Sequence, residues 1–131
     1  MLVLLSQSVE AIRLPEAPLF KQMTREDGLP STHVNAMVED KAGYMWIATY
    51  DGLARYDGVG FEVFRHDLSD PASLPSNSVQ TVYVDHQNRV WIGTEGGGLS
   101  VRLPGQKDFQ HFNPKTDPRF ELVDVWAIAS Q

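Results

Sequence analysis

The chain of 131 residues contains no cysteine, which excludes disulfide bridges and thiolate metal sites. It has 11 lysine and arginine residues against 17 aspartate and glutamate residues, giving a formal net charge of -6, and the basic residues are scattered singly. A nucleic acid or an anionic membrane surface needs clustered basic residues that displace its counterions. We therefore expect no nucleic-acid partner.

Long apolar runs are also missing, because no stretch approaches the ~20 apolar residues of a membrane-spanning helix. The chain nevertheless starts with the apolar residues MLVLL. Val9 and Ala11 are small residues at the two positions that signal peptidase recognises before its cleavage site. The basic region that usually precedes such an apolar run is absent. We expect residues 1–18 to be the remnant of a secretory signal with its lead-in, and a frayed apolar tail is the alternative.

What the sequence does contain is a repeat. The segments GYMWIATYDGL and NRVWIGTEGGGL share Trp-Ile, a threonine and Gly-Leu in the same order, and the second has one extra glycine after its threonine. Up to that threonine the matching positions are 45 residues apart, and after the extra glycine Leu53 matches Leu99. The matching pairs include Leu29 with Leu74, Val34 with Val79, Asp40 with Asp85, and Trp46 with Trp91.

Each copy shows the signals of four short strands. Apolar runs rich in β-branched residues occupy residues 34–39 and 79–84, and further short runs follow up to the two Phe-x-x-Phe elements. The first turn of each copy begins with aspartate, whose side chain can cap it, and ends with Gly43 or Asn88, which tolerate a left-handed backbone. The pattern predicts tight antiparallel hairpins, and apolar spacing near the helical period is absent.

The second strand of each copy is apolar on both faces, which is typical of a sheet covered on both sides. Four antiparallel strands per repeat of this length predict an all-β fold, a β-propeller. We divide the chain into residues 19–26 as an outer, ring-closing strand, residues 27–67 as blade 1, residues 68–116 as blade 2 and residues 117–131 as the start of blade 3. Two near-complete blades indicate a fragment of a larger propeller.

Most conspicuous motifs have a structural interpretation. A phosphate-binding loop needs its glycines before a helix, whereas the glycines that follow Glu95 lead into a strand. The four histidines share no metal-ligand spacing, so neither a metal nor another cofactor is predicted. We assign packing or turn roles to Trp46, Trp91, Asp40, Asp85, Gly43 and Asn88.

A ligand would bind at the loops that surround the mouth of the propeller channel, because loops carry function more often than the scaffold does. These loops enter the first strand and join the second to the third strand of each blade. Their polar, mixed character suits a carbohydrate or a peptide, and it equally suits no ligand. The candidate ligand-binding residues are Ser31, Thr32, His33, Asn35, Tyr50, Asp51, Ser76, Asn77 and Glu95.

The pattern Gly-Leu-Pro-Ser, Val-x-x-(Met/Val)-x-x-Asp and Trp-Ile-(Ala/Gly)-Thr resembles the two-component regulator propeller repeat. That repeat occurs in the sensor regions of bacterial hybrid histidine kinases and diguanylate cyclases. The resemblance implies a periplasmic, ligand-sensing and non-catalytic segment, followed in the full protein by an immunoglobulin-like domain, a membrane helix and an output module. The signatures of a kinase or cyclase module are absent from these 131 residues.

Two alternatives stay open. A propeller enzyme of the streptogramin-lyase type needs a histidine and a carboxylate at the channel mouth, where only His33 is placed and the second blade has Ser78. A protein-interaction scaffold is the other. We also expect the isolated chain to self-associate, because faces carrying Ile47, Trp91 and Ile92 and the strand at residues 125–129 would be exposed.

Overall fold

The computed structural model describes residues 2–4, 12–13, 22–23, 28–119, 124 and 128 of the chain. All regular structure within these residues is β-strand. The strands are β1 (Leu2–Leu4), β2 (Ile12–Arg13), β3 (Gln22–Met23), β4 (Val34–Glu39), β5 (Met45–Thr49), β6 (Gly52–Tyr56), β7 (Phe61–Phe64), β8 (Val79–Val84), β9 (Val90–Thr94), β10 (Gly98–Arg102) and β11 (Gln110–Phe112). The part of the chain that the structure describes contains no helix able to cross a bilayer.

Two antiparallel sheets form the body of the molecule. Strands β4, β5, β6 and β7 lie in sequence order in the first sheet, which we call blade 1. Strands β8, β9, β10 and β11 repeat this order in the second sheet, blade 2. Two four-stranded antiparallel meanders packed against each other confirm the predicted all-β propeller fold.

The N-terminal strands add to this plan. Strand β1 pairs antiparallel with the free edge of β4, with Leu2 opposite Val38 and Leu4 opposite Ala36, so the sheet of blade 1 has five strands. Strand β3, in the segment that we expected to close the ring, pairs with β2 in a separate two-stranded sheet. The assignment of residues 1–18 to a secretory signal stays a prediction, since a strand pairing does not test cleavage. Residues 120–123, 125–127 and 129–131, in the predicted start of blade 3, lie outside the described residues.

The largest core cluster lies between the two blades. Blade 1 contributes Trp46 and Leu53, and blade 2 contributes Val82 and Ile92, all of them fully buried. A second cluster on the other face of blade 1 contains Ile47, which is also fully buried. The prediction that Ile47 and Ile92 would be exposed is therefore wrong. Ile92 faces blade 1, and Ile47 is covered within the second cluster.

Each blade carries the same hydrogen-bonded unit at its first turn. Asp85 Oδ1 accepts hydrogen bonds from the backbone N–H groups of Gln87 and Arg89, both at 2.9 Å, and its Oδ2 accepts one from Trp91 Nε1 at 2.8 Å. In blade 1, Asp40 does the same for two turn N–H groups and for Trp46 Nε1. The aspartate thus fixes both the turn and the tryptophan that follows it.

The last residue of each turn takes the left-handed conformation, with φ of 94° at Gly43 and 59° at Asn88. The two turns also meet each other at one end of the blades. Lys41 donates its backbone N–H to Asn88 Oδ1 at 2.9 Å and its Nζ to the carbonyl of His86. These bonds join the blades at the rim opposite the predicted channel mouth.

Candidate functional site

The candidate site is the other rim, where β4 and β8 begin and where β5 and β9 end. Val34 pairs with Thr49 and Val79 pairs with Thr94, so the lead-in to each first strand lies beside the turn that follows the second strand. A main-chain hydrogen bond joins the two in each blade. The antiparallel topology therefore places all the predicted ligand-binding residues at one end of the blades.

In blade 1 the joining bond runs from Tyr50 N to His33 O at 3.4 Å. Ser31 Oγ accepts the backbone N–H of His33 at 3.0 Å and so shapes the lead-in, and Thr32 lies half-buried beside it. The rings of His33 and Tyr50 meet edge to face with centroids 4.0 Å apart. Tyr50 remains 43% exposed, so the pair presents a phenol ring and an imidazole to solvent.

In blade 2 the same backbone carries different side chains. Glu95 N donates to Ser78 O at 3.0 Å, and Ser76 Oγ accepts the N–H of Ser78 at 3.2 Å. Gln80 Nε2 lies 2.7 Å from Ser78 Oγ and 3.4 Å from Glu95 Oε2. A hydroxyl and a carboxylate thus replace the two rings of blade 1, and the amide of Gln80 bonds to both.

Gln80 was not among the candidates predicted from the sequence. It occupies the register position of Asn35, 45 residues earlier, and this correspondence is the signal that could have identified it. Asn35 itself reaches across the seam between the blades, where its Nδ2 donates to Val79 O at 2.7 Å. Its amide therefore anchors blade 1 to the first strand of blade 2.

Two further candidates also hold the rim together. Asn77 O accepts the N–H of Gly52 at 2.7 Å, and Asn77 Oδ1 accepts the N–H of His66 at 2.7 Å. The guanidinium of Arg65 donates two hydrogen bonds to Asp51, one to its backbone carbonyl at 3.1 Å and one to Oδ2 at 3.5 Å. Gly52 has φ of 117°, and a Cβ on it would lie 2.7 Å from Phe64 O. The rim backbone is thus fixed by bonds between successive loops.

A cavity of about 460 Å³ opens on the same rim, farther from β4 and β8 along the sheets. Its lining includes Leu74, Pro75, Gly97, His66 and His111. His66 Nδ1 donates to Leu74 O at 2.7 Å, and His111 bonds Ser100 Oγ at 2.8 Å and the carbonyl of Pro71 at 3.1 Å. The volume suits a small molecule, and no motif in the sequence indicated this cavity.

The side chains on this rim are polar or aromatic. Among the residues that the structure describes, no group of three histidine, aspartate or glutamate side chains comes together in a way that could hold a metal ion. The imidazole of His33 has the ring of Tyr50 as its neighbour. The described rim offers hydrogen-bonding groups, among them the carboxylates of Asp51 and Glu95, and the exposed aromatic ring of Tyr50.

Two repeated blades with a common rim define a β-propeller built from tandem repeats. Residues 28–51 and 73–96 both match the family model of the two component regulator propeller. The two matched segments begin 45 residues apart, which is the register that the sequence predicted.

Two similar proteins come from bacteria. The chain is 38% identical over 56 residues to histidine kinase P4 of Formosa agariphila, a match that spans 43% of this chain and 4% of that protein. It also superposes with a TM-score of 0.75 and 24% identity on the extracellular domain of a protein described as a hybrid two component system from B. thetaiotaomicron, over 82% of this chain and 16% of the solved one. The second match shows the shared fold. This chain spans only a small part of either protein.

Proposed function

We propose that this segment belongs to an extracytoplasmic, ligand-sensing β-propeller of a bacterial two-component receptor, and that it is not itself catalytic. The observation that carries the proposal is the rim of the two family repeats. Its main-chain bonds are the same in both blades, whereas His33 and Tyr50 are replaced by Ser78 and Glu95. A constant backbone with varied side chains is the arrangement expected of a binding surface on a rigid scaffold.

The similar proteins support the output and the location that we propose. The matched relative is named a histidine kinase, which favours a kinase over a diguanylate cyclase as the output module. The superposed structure is described as an extracellular domain, and the apolar start of this chain suits export. We therefore place the propeller in the periplasm, with the remaining blades and a membrane anchor in the rest of the protein.

The ligand we propose is a small carbohydrate or peptide that contacts the ring of Tyr50 and the carboxylate of Glu95, while the buried amide of Gln80 holds that carboxylate from below. An aromatic ring can stack on the apolar face of a sugar or of a side chain, and the carboxylate accepts hydrogen bonds. Both chemistries are present within two adjacent blades.

The test uses the full-length receptor in membrane vesicles, with panels of oligosaccharides and short peptides as probes and autophosphorylation as the readout. We expect at least one probe to change the rate of autophosphorylation, and Tyr50→Ala or Glu95→Ala to reduce that response. Lys41→Ala, on the opposite rim, is the matched control and should keep it. A response that the two rim variants leave unchanged would place the ligand elsewhere, and a receptor silent to every probe in both panels would contradict the proposal.

A further inference from the structure

The seam between the blades contains a guanidinium that has no carboxylate partner within the described chain. Arg102 ends β10, and its guanidinium carbon lies 5.3 Å from the centre of the Trp46 ring and 5.7 Å from that of Phe64. Its Nε is buried and makes no hydrogen bond. None of the ion pairs among the described residues includes Arg102. This cation therefore has aromatic rings as neighbours in place of an anion.

The charges around Arg102 do not balance. A second guanidinium, that of Arg55, lies 5.5 Å from the centre of the same Trp46 ring, and it is paired with Glu62. Burial and then the charge of Arg55 lower the pKa of Arg102, and the charges of Glu62 and Asp40 act in the opposite direction. Because Asp40 already bonds the indole and its own turn, two cations flank one ring and share one carboxylate. A partly buried charge without its own counterion costs free energy that ring contacts recover only in part.

A cavity of about 280 Å³ lies against this guanidinium. It is enclosed by β7 of blade 1, by the linker that follows β7 and by the loop between β10 and β11 of blade 2. Arg102 and Lys107 line it together with the apolar side chains of Val63, Leu74 and Phe109. Its described lining includes none of the ligand-binding residues predicted from the sequence. The unpaired guanidinium thus borders a space large enough for a small molecule.

The carboxylates of the lining limit the charge of a suitable ligand. Asp67 and Asp70 lie in the linker, and each accepts a hydrogen bond from a backbone N–H of the linker at 2.9 Å. Glu62 is already paired, and Asp108 is exposed. These four carboxylates repel a divalent anion such as phosphate more strongly than a monovalent one. The lining therefore favours a ligand with a single carboxylate.

We propose that this cavity is a binding site for a small monocarboxylate, whose carboxylate group pairs with Arg102. The ligand supplies the anion that the described residues do not. It also contacts both blades, because β7 belongs to blade 1 and Arg102 to blade 2, so its binding stabilises the seam. The site is separate from the rim, and the proposal does not depend on ligand sensing there.

The shape of a guanidinium suits this ligand. The planar group donates two parallel hydrogen bonds to a carboxylate, and because Nε is buried, the terminal nitrogens of Arg102 are the donors. Lys107 supplies a second positive charge from the loop between β10 and β11. Arg65, the third cation of the lining, is held by Asp51. The apolar part of the ligand packs on the apolar side chains of the lining.

The experiment titrates the 131-residue chain, labelled with ¹⁵N-arginine, with sodium acetate, benzoate and glucuronate at constant ionic strength. NMR spectra of the Nε–Hε groups give one signal per arginine, and the signal that Arg102→Lys removes belongs to Arg102. We expect this signal to shift and to saturate with at least one carboxylate. Chloride, and glucose as the uncharged counterpart of glucuronate, should leave it in place, and phosphate should shift it less than the carboxylate does.

Variants test the assigned residues through the rise in unfolding temperature that the bound carboxylate produces. Arg102→Met keeps an apolar stem but no charge and should weaken binding by more than about tenfold. Lys107→Gln should weaken it by about twofold to fivefold, as expected for an exposed charge. Glu62→Gln removes a repelling carboxylate and should strengthen it. Lys41→Gln, which removes one positive charge from the opposite rim, is the matched control and should change nothing.

Three outcomes would overturn the proposal. The first is an Arg102 signal that no carboxylate moves. The second is a shift that does not saturate or that all the arginine signals share, which would indicate an adventitious ion only. The third is a stronger response to phosphate than to every carboxylate. If Arg102→Met does not fold, as judged by circular dichroism, the opposite effects of Lys107→Gln and Glu62→Gln still decide the matter, and equal binding by both would contradict the site.

Discussion

Asp85 offers the sharpest test of how the blades are held together. Its carboxylate accepts hydrogen bonds from the indole of Trp91, from the backbone of Arg89 and Gln87, and from the Arg89 guanidinium at 2.6 Å. Replacement by asparagine keeps the shape of the side chain. It removes the charge, however, and it turns one acceptor into an N–H donor that faces the indole and guanidinium donors.

The expected magnitude follows from the pKa of this group. Burial opposes ionisation of Asp85, but the hydrogen bonds from Trp91 and Arg89 outweigh it and lower the pKa from 3.8 to about 2. A shift of one pKa unit corresponds to about 1.4 kcal/mol, so the folded state gains about 2 kcal/mol from the ionised carboxylate. The side chain is only 13% exposed, which limits screening by solvent.

The sign of the pH dependence follows from the lowered pKa. A carboxyl group whose pKa is depressed in the folded protein stabilises it fully above the unfolded value of 3.8 and loses this contribution as the pH falls toward about 2. Asp85→Asn should therefore lower the free energy of unfolding by about 2 kcal/mol at neutral pH. The difference from the wild type should shrink below about pH 4 as the wild-type carboxylate becomes protonated.

The assay is urea unfolding of the wild type and Asp85→Asn at a series of pH values from neutral to 2, followed by circular dichroism. Asp108→Asn is the control, since it removes one exposed carboxylate and should change stability by less than about 0.5 kcal/mol. A difference between wild type and Asp85→Asn that is the same at pH 2 and at pH 7 would refute the reasoning, because a charged acceptor would then not be the cause.

Two further predictions concern the rim and the free chain. Gly52→Ala should destabilise the protein by more than about 2 kcal/mol, because a left-handed backbone and a Cβ placed 2.7 Å from Phe64 O both oppose the alanine side chain. Gly43→Ala is the control: its φ is 94° but the space around its Cβ is open, so it should cost about 1 kcal/mol. Thermal unfolding of the two variants measures this, and equal losses would count against the clash. The 131-residue chain should self-associate through the exposed face of Trp91 in sedimentation velocity, and a monodisperse monomer at every concentration would speak against it.

The repeat made the fold predictable from the sequence. Two copies in one register fix the order of strands within each blade, because every strand signal is seen twice and each turn has its own aspartate and glycine or asparagine. Which cluster of the core buries each strand residue was not predictable from the sequence. Ile47 and Ile92 lie at the same repeat position, yet Ile92 is buried in the seam between the blades and Ile47 in a separate cluster.

The candidate site was predictable in location but not in detail. Antiparallel pairing of β4 with β5 and of β8 with β9 brings the predicted loops to one rim, which follows from the strand order alone. Which side chains there serve the scaffold depends on contacts between residues distant in sequence. Asn77 bonds the next turn through its carbonyl, and Gln80 joins the rim through Ser78 and Glu95.

The sequence by itself determined the repeat, the strand order and the residues that begin and end each turn, because these depend on local backbone preferences and on a hydrophobic pattern that occurs twice. Only the tertiary structure decided how the copies differ. Trp46 is buried and Trp91 partly exposed although both sit at the same position of the repeat, since blade 2 covers the first with Arg102. Burial depends on the neighbouring blade as well as on the residue.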